Sequence, residues 1–315
     1  MCTNTNTAIA KGRPILPGLM LKHIGFDARL CWTYSGNSCY DRDIPSLAVD
    51  NHMICAVQLN GSFIYLDPTA KYSYLFQINE NIQGKGCLME NADGPIVAQI
   101  PEIPFDYNLK LIRNRAELSG NKLSIDGQID LKGADKNIFQ YYLNHLPTDN
   151  KEDLVNFFVT NKDNNFLINS IKTAPADSMA EEFSIVYNMD VSNEVIEMGD
   201  EILLGLDFYK EYQDATIDTL RKLNYTFNYR CLLQHEISFD IPHDYEVVSL
   251  PEPLLIDKPK YHFMGKYSVE GSLLIYRKKI ALKENILLLK EFKDWNEAIG
   301  SLVEFYNEMI ILKKT

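Results

Sequence analysis

Asn60-Gly61, set between two alternating apolar runs, is the feature that most constrains this chain. Asn-Gly in that setting specifies a two-residue type I′ turn, because both central positions take positive φ. The turn then dictates strand register. Leu59 pairs with Ser62, Val57 with Ile64, Cys55 with Leu66 and Met53 with Pro68. That face is nearly all apolar and is expected to be buried. The opposite face holds His52, Ile54, Ala56, Gln58, Phe63, Tyr65, Asp67 and Thr69. Asp67 then stands opposite Ile54, one diagonal step from His52. Diagonal neighbours lie about 7–8 Å apart, within reach of an imidazole and a carboxylate. An Asp that holds a His in one tautomer is the orienting half of a nucleophile–base–acid triad. The pattern alone favours the plainer reading, a surface His and Asp with no partner. A register slip of one residue would place them on opposite faces.

The rest of the chain divides near residue 105. Ile100-Pro101-Glu102-Ile103-Pro104 has two prolines in four residues, which favours an extended connector. The first part has 7 basic and 9 acidic residues, and the second has 24 and 34. The second part reads mostly as strands: 109–118, 122–131, 183–191, 202–209, 232–241 and 261–282. Ser119-Gly120-Asn121 and Glu270-Gly271-Ser272 supply turns. Two helices are expected there. Asp149 and Glu152 have capping-box spacing ahead of Leu154, Val155, Phe157 and Phe158. Trp295, Ala298, Ile299, Leu302, Val303, Tyr306, Met309 and Ile310 recur at helical spacing after Asp294, a candidate N-cap. Their stripe should be core.

Several function classes are excluded. A net charge of −12 disfavours non-specific nucleic-acid binding and docking on an anionic membrane. No apolar run is long enough to span a bilayer. Met1 to Ala10 has no basic region followed by an apolar stretch, so no signal peptide is expected. The six cysteines form no CxxC pair and are too sparse for a disulfide scaffold. His23, His145, His235, His243 and His262 show no paired ligand spacing, and His52 with Asp67 lacks a third ligand. No metal is expected. Gly84-Lys85-Gly86 lacks phosphate-loop spacing, and no cofactor is expected.

Asp50-Asn51-His52-Met53-Ile54 followed by Leu66-Asp67-Pro68-Thr69 resembles the His and Asp motifs of bacterial transglutaminase-like proteins, in the papain-like superfamily. Gly25-Phe26-Asp27-Ala28-Arg29-Leu30 resembles the end of their catalytic helix and the strand after it. Ile82-Gln83-Gly84-Lys85-Gly86-Cys87-Leu88 resembles the segment after their core. The resemblance covers residues 8–105. It implies the C-terminal half of a multidomain, exported or periplasmic protein. The implied fold is α+β: a partial transglutaminase-like core over 1–105, then a β-sandwich-like domain with a C-terminal helix over 106–315.

The family's nucleophile is a Cys at a helix N-terminus, where the helix dipole and a nearby imidazolium favour the thiolate. Ungapped alignment places Ala10 at that position, within Ala8-Ile9-Ala10-Lys11-Gly12. A methyl group forms no acyl-enzyme. Pro14, Pro17 and Gly18 then fall in the expected helix, which should run from near Pro17 to before Gly25. No replacement nucleophile is expected among Cys2, Cys31, Cys39 and Cys55. The resemblance thus implies a silent remnant carrying His52, Asp67 and Ala10. Trp32, Asn51 and Lys11 are its groove candidates, and its partner is a protein or peptide. Two other readings stay open: a cysteine-dependent acyl transferase or amide hydrolase, and a plain β-sandwich interaction module.

Overall fold

The computed structural model describes residues 15–35, 50–160 and 163–315. The chain forms two compact units. One comprises Met1–Pro104 and Met179–Glu181; the other comprises Phe105–Ser178 and Glu182–Thr315.

The first unit opens with helix α1 (Ile15–His23), followed by strands β1 (Ala28–Thr33), β2 (His52–Leu59), β3 (Ser62–Leu66), β4 (Gly86–Met89) and β5 (Ile96–Gln99). Pro17 sits in the first turn of α1, where its missing N–H has no intrahelical acceptor. The helix therefore begins two residues before Pro17. The five strands form one antiparallel sheet in the order β3-β2-β1-β4-β5. Asn60 (φ 49°) and Gly61 (φ 85°) both take positive φ, and Leu59 pairs with Ser62 as expected. The hairpin is covered on both faces, however. Met53, Cys55 and Val57 are buried on one side, but Ile54, Ala56 and Tyr65 are buried on the other. Ile78, Ile82 and Ile100 cluster with the latter set. The intervening loops thus cover the face that the alternation left open.

The second unit carries β6 (Leu109–Ser119), β7 (Lys122–Leu131), α2 (Gly133–His145), α3 (Thr148–Thr160), β8 (Phe166–Thr173) and β9 (Phe183–Val191). These are followed by β10 (Val195–Met198), β11 (Glu201–Leu204), β12 (Tyr225–Thr226), β13 (Cys231–Asp240), β14 (Tyr245–Ser249) and β15 (Leu254–Asp257). The chain ends with β16 (Tyr261–Glu270), β17 (Leu273–Leu282), β18 (Ile286–Leu287), α4 (Phe292–Asn307) and β19 (Ile310–Lys314). An eight-stranded sheet runs β15-β16-β17-β13-β6-β7-β9-β8, antiparallel except for the parallel β13–β6 pair. A four-stranded sheet runs β10-β11-β19-β14. The architecture is α+β with a sheet-rich second unit. One core joins inward residues of both sheets to α2, α3 and α4.

Three local readings need correction. The strand expected over 202–209 stops at Leu204, and 205–209 is irregular. The last helix begins at Phe292, so Asp294 lies inside its first turn rather than at the N-cap. It ends at Asn307, and Ile310 belongs to β19, which pairs with β11 and β14. Ile310 is fully buried, and a buried apolar run of this length has no periodicity that separates strand from helix. α3 begins one residue before Asp149, whose side chain lies outside the described residues.

Candidate functional site

His52 opens β2 and Asp67 follows the last residue of β3. Pairing of Cys55 with Leu66 and Ala56 with Tyr65 brings the two side chains to the same face. The His52 Nε2–H donates to Asp67 Oδ2 at 2.8 Å, leaving Nδ1 without this partner. Side-chain exposure is 13% for His52 and 4% for Asp67. The second carboxylate oxygen, Oδ1, accepts from the Thr69 backbone N–H at 3.0 Å and from its hydroxyl at 2.6 Å. Burial by itself raises the Asp67 pKa. The His52 hydrogen bond and charge, with both Thr69 donors, outweigh burial and hold the carboxyl below its ordinary 3.8.

This has a signed consequence. A carboxyl whose folded pKa is depressed adds stability above its unfolded pKa and loses it as pH falls through the folded value. Wild-type stability should therefore drop below about pH 4. Asp67→Asn should flatten that part of the profile, read by urea unfolding between pH 2.5 and 6. An unchanged slope would mean the His52–Asp67 pair is not linked to folding.

The other sequence candidates are placed less uniformly. Thr33 is the register partner of His52, and Trp32 is the partner of Met53. Trp32 therefore belongs to the face opposite His52, because adjacent strand residues alternate. The expected groove near His52, Asp67 and Trp32 is corrected on that account. Asn51 clasps the end of β1: its Oδ1 accepts from Ser35 N–H at 2.8 Å and its amide donates to Ser35 O at 3.2 Å. That contact positions the strand that begins at His52. α1 packs on the Trp32 side of the sheet, where a side chain on Gly18 would meet Leu30 and the Cys55 thiol. Ala10 and Lys11 lie outside the described residues.

A second polar cluster, which sequence spacing did not reveal, lies in the core of the other unit. Lys278 on β17 pairs in register with His235 on β13 and with Gly265 on β16. Its ammonium donates to Asp207 Oδ1 and to Glu211 Oε2, both at 2.6 Å. Side-chain exposure is 0% for Lys278, 1% for Asp207 and 17% for Glu211. The Tyr276 hydroxyl donates to Asp207 Oδ2. Burial pushes the Asp207 carboxyl up against the pull of Lys278. Burial would also raise Glu211, but the Lys278 charge overrides it and draws that carboxyl down to about 2. Burial, helped by Lys278, pushes His235 down to about 3, so its ring is neutral at neutral pH. A usable signal was present. His235 and Lys278 occupy inward positions of otherwise apolar alternations, Leu233-x-His235-x-Ile237 and Tyr276-x-Lys278-x-Ile280.

Residues 202–312 match the family described as Domain of Unknown Function with solved-structure structure (DUF3858). The match covers Asp207, Glu211, His235 and Lys278. No curated protein matches the chain. A solved structure described as a putative protease from Parabacteroides distasonis is similar to it, with a TM-score of 0.48 and 12% identity. That similarity covers 95% of this chain and 43% of the other, so this chain spans less than half of that protein's length. No helix among the described residues is long and apolar enough to cross a membrane.

Proposed function

We propose that the first unit is a catalytically silent transglutaminase-like core with a binding or structural role. In this reading His52 and Asp67 are the remnant of a triad, and Ala10 stands where the nucleophilic Cys would be. The 2.8 Å His52–Asp67 hydrogen bond carries the reading. A carboxylate nearly closed to solvent and held by three donors is an orienting group, not a surface ion pair. Its contact at Nε2 leaves Nδ1 as the ring nitrogen for a base or hydrogen-bonding role.

The alternative, a live cysteine-dependent acyl transferase or amide hydrolase, needs an accessible thiol. Cys31, Cys55 and Cys87 are all 0% exposed. The Cys87 thiol is drawn below its ordinary pKa by a hydrogen bond with Cys31, yet no substrate reaches it where it is. The described thiols of the first unit therefore favour the silent reading; Cys231, which is partly exposed, belongs to the second unit.

The test is the alkylation rate of Ala10→Cys by iodoacetamide between pH 5 and 8. A retained triad geometry predicts a new thiol that reacts fast at mildly acidic pH and slows when His52→Ala is added. A thiol that reacts like free cysteine in both backgrounds would overturn the proposal.

A further inference from the structure

We propose that Asp207, Glu211 and His235 form a binding site for a divalent transition-metal ion in the second unit, with Asn114 as its positioning residue. One ligand atom from each of the three residues lies within 4.8 Å of the other two. The cluster also contains two buried polar atoms that the protein leaves without hydrogen-bond partners: His235 Nδ1 and Glu211 Oε1. His235 is 2% exposed, so solvent does not serve its nitrogen. A buried imidazole nitrogen and a buried carboxylate oxygen left without partners in one cluster each cost stability unless a ligand satisfies them. Lys278 satisfies Glu211 Oε2 and Asp207 Oδ1, and serves neither orphan.

Imidazole nitrogen with carboxylate oxygen suits zinc, cobalt or nickel better than magnesium or calcium. Of the three, Glu211 also lines a surface cleft, with Lys110, Phe157, Tyr209 and Tyr212.

The surroundings of His235 fit a ligand role. Metal-binding histidines are oriented through their second ring nitrogen. Here His235 Nε2 meets Asn114 Nδ2 at 3.3 Å. The Tyr187 hydroxyl donates to Asn114 Oδ1 at 2.7 Å and lies 2.8 Å from the Tyr209 hydroxyl. Gly127 makes the room: a Cβ there would run into the Tyr187 ring and Asn114 Oδ1. Without metal, the Asn114 amide donates to Nε2, so the ring proton sits on Nδ1. With metal on Nδ1 the proton moves to Nε2, and Asn114 turns its oxygen to accept it. No proton is lost from the ring. Tyr187 can then accept from the turned amide while donating to the Tyr209 oxygen.

The experiment adds Co2+ alone to the full chain after chelator treatment, with Zn2+ as competitor. The expected result is one equivalent of Co2+ with visible d–d bands, displaced by Zn2+. Glu211→Gln and His235→Gln should each weaken uptake at least 10-fold. In the wild type, nitrogen-15 imidazole spectra should show the His235 proton moving from Nδ1 to Nε2 on Zn2+ addition. That readout does not depend on a variant folding. Absence of stoichiometric uptake would overturn the proposal, as would an unchanged His235 tautomer, which would mean water alone fills the gap. Uptake equal in the wild type and both variants would place the metal elsewhere and overturn it too.

Discussion

Lys278→Met should destabilise the second unit by about 3–5 kcal/mol at neutral pH, the range for a buried ion pair that loses one partner. The reason is asymmetry, not the strength of the pair. The wild-type ammonium is fully buried and touches two carboxylates. Met fills a similar volume but leaves both carboxylates without a counter-charge in a low-dielectric core. The loss should shrink as pH falls, because protonating Asp207 and Glu211 removes the buried charge. Adding Asp207→Asn and Glu211→Gln to Lys278→Met should recover much of the loss at neutral pH, since replacing a whole buried ionic group is often near neutral. Urea unfolding of the three-site variant and the single variant, at pH 4 and 7, measures both effects. A single variant as stable as the wild type at pH 7 would show that the two carboxylates are already neutral there.

Trp295→Ala should cost about 3–5 kcal/mol, the usual range for removing a buried large aromatic. Trp295 is 0% exposed and anchors α4. Its ring centroid lies 5.0 Å from Tyr261, 5.1 Å from Phe227 and 5.6 Å from Phe263. Its indole N–H donates to the Ala215 carbonyl at 2.7 Å, tying the irregular segment before β12 to the helix. Trp295→Phe separates the two contributions. It keeps an aromatic ring and loses the donor, so the expected cost is about 1–3 kcal/mol. Thermal unfolding followed by near-UV circular dichroism ranks the two variants. Equal costs would mean that the hydrogen bond, rather than packing volume, is what α4 contributes here.

Local rules written in the chain specified the hairpin almost completely. Asn60-Gly61 demanded positive φ at both positions, that turn set the pairing down to Cys55 with Leu66, and the pairing brought His52 to Asp67. Strand alternation likewise located β6, β7, β9, β13, β16 and β17, and helical spacing located most of α4. These signals are legible because each depends on residues within about ten positions of one another.

What required the tertiary structure depends on distant residues. Whether the His52 face was open or covered was decided by Ile78, Ile82 and Ile100, which no alternation within the hairpin encodes. The side of the sheet taken by Trp32 relative to His52 came from the β1–β2 register, set across a separation of about twenty residues that no short turn fixes. Ile310 became a strand residue because it pairs with Leu204 of β11, in a strand that fills the place between β11 and β14. The Asp207, Glu211, His235 and Lys278 cluster spans 71 residues between its first and last members. Its local trace was only a His and a Lys at inward strand positions. Spacing along the chain cannot say which buried polar groups meet, because that is settled by the order in which strands assemble into the sheet.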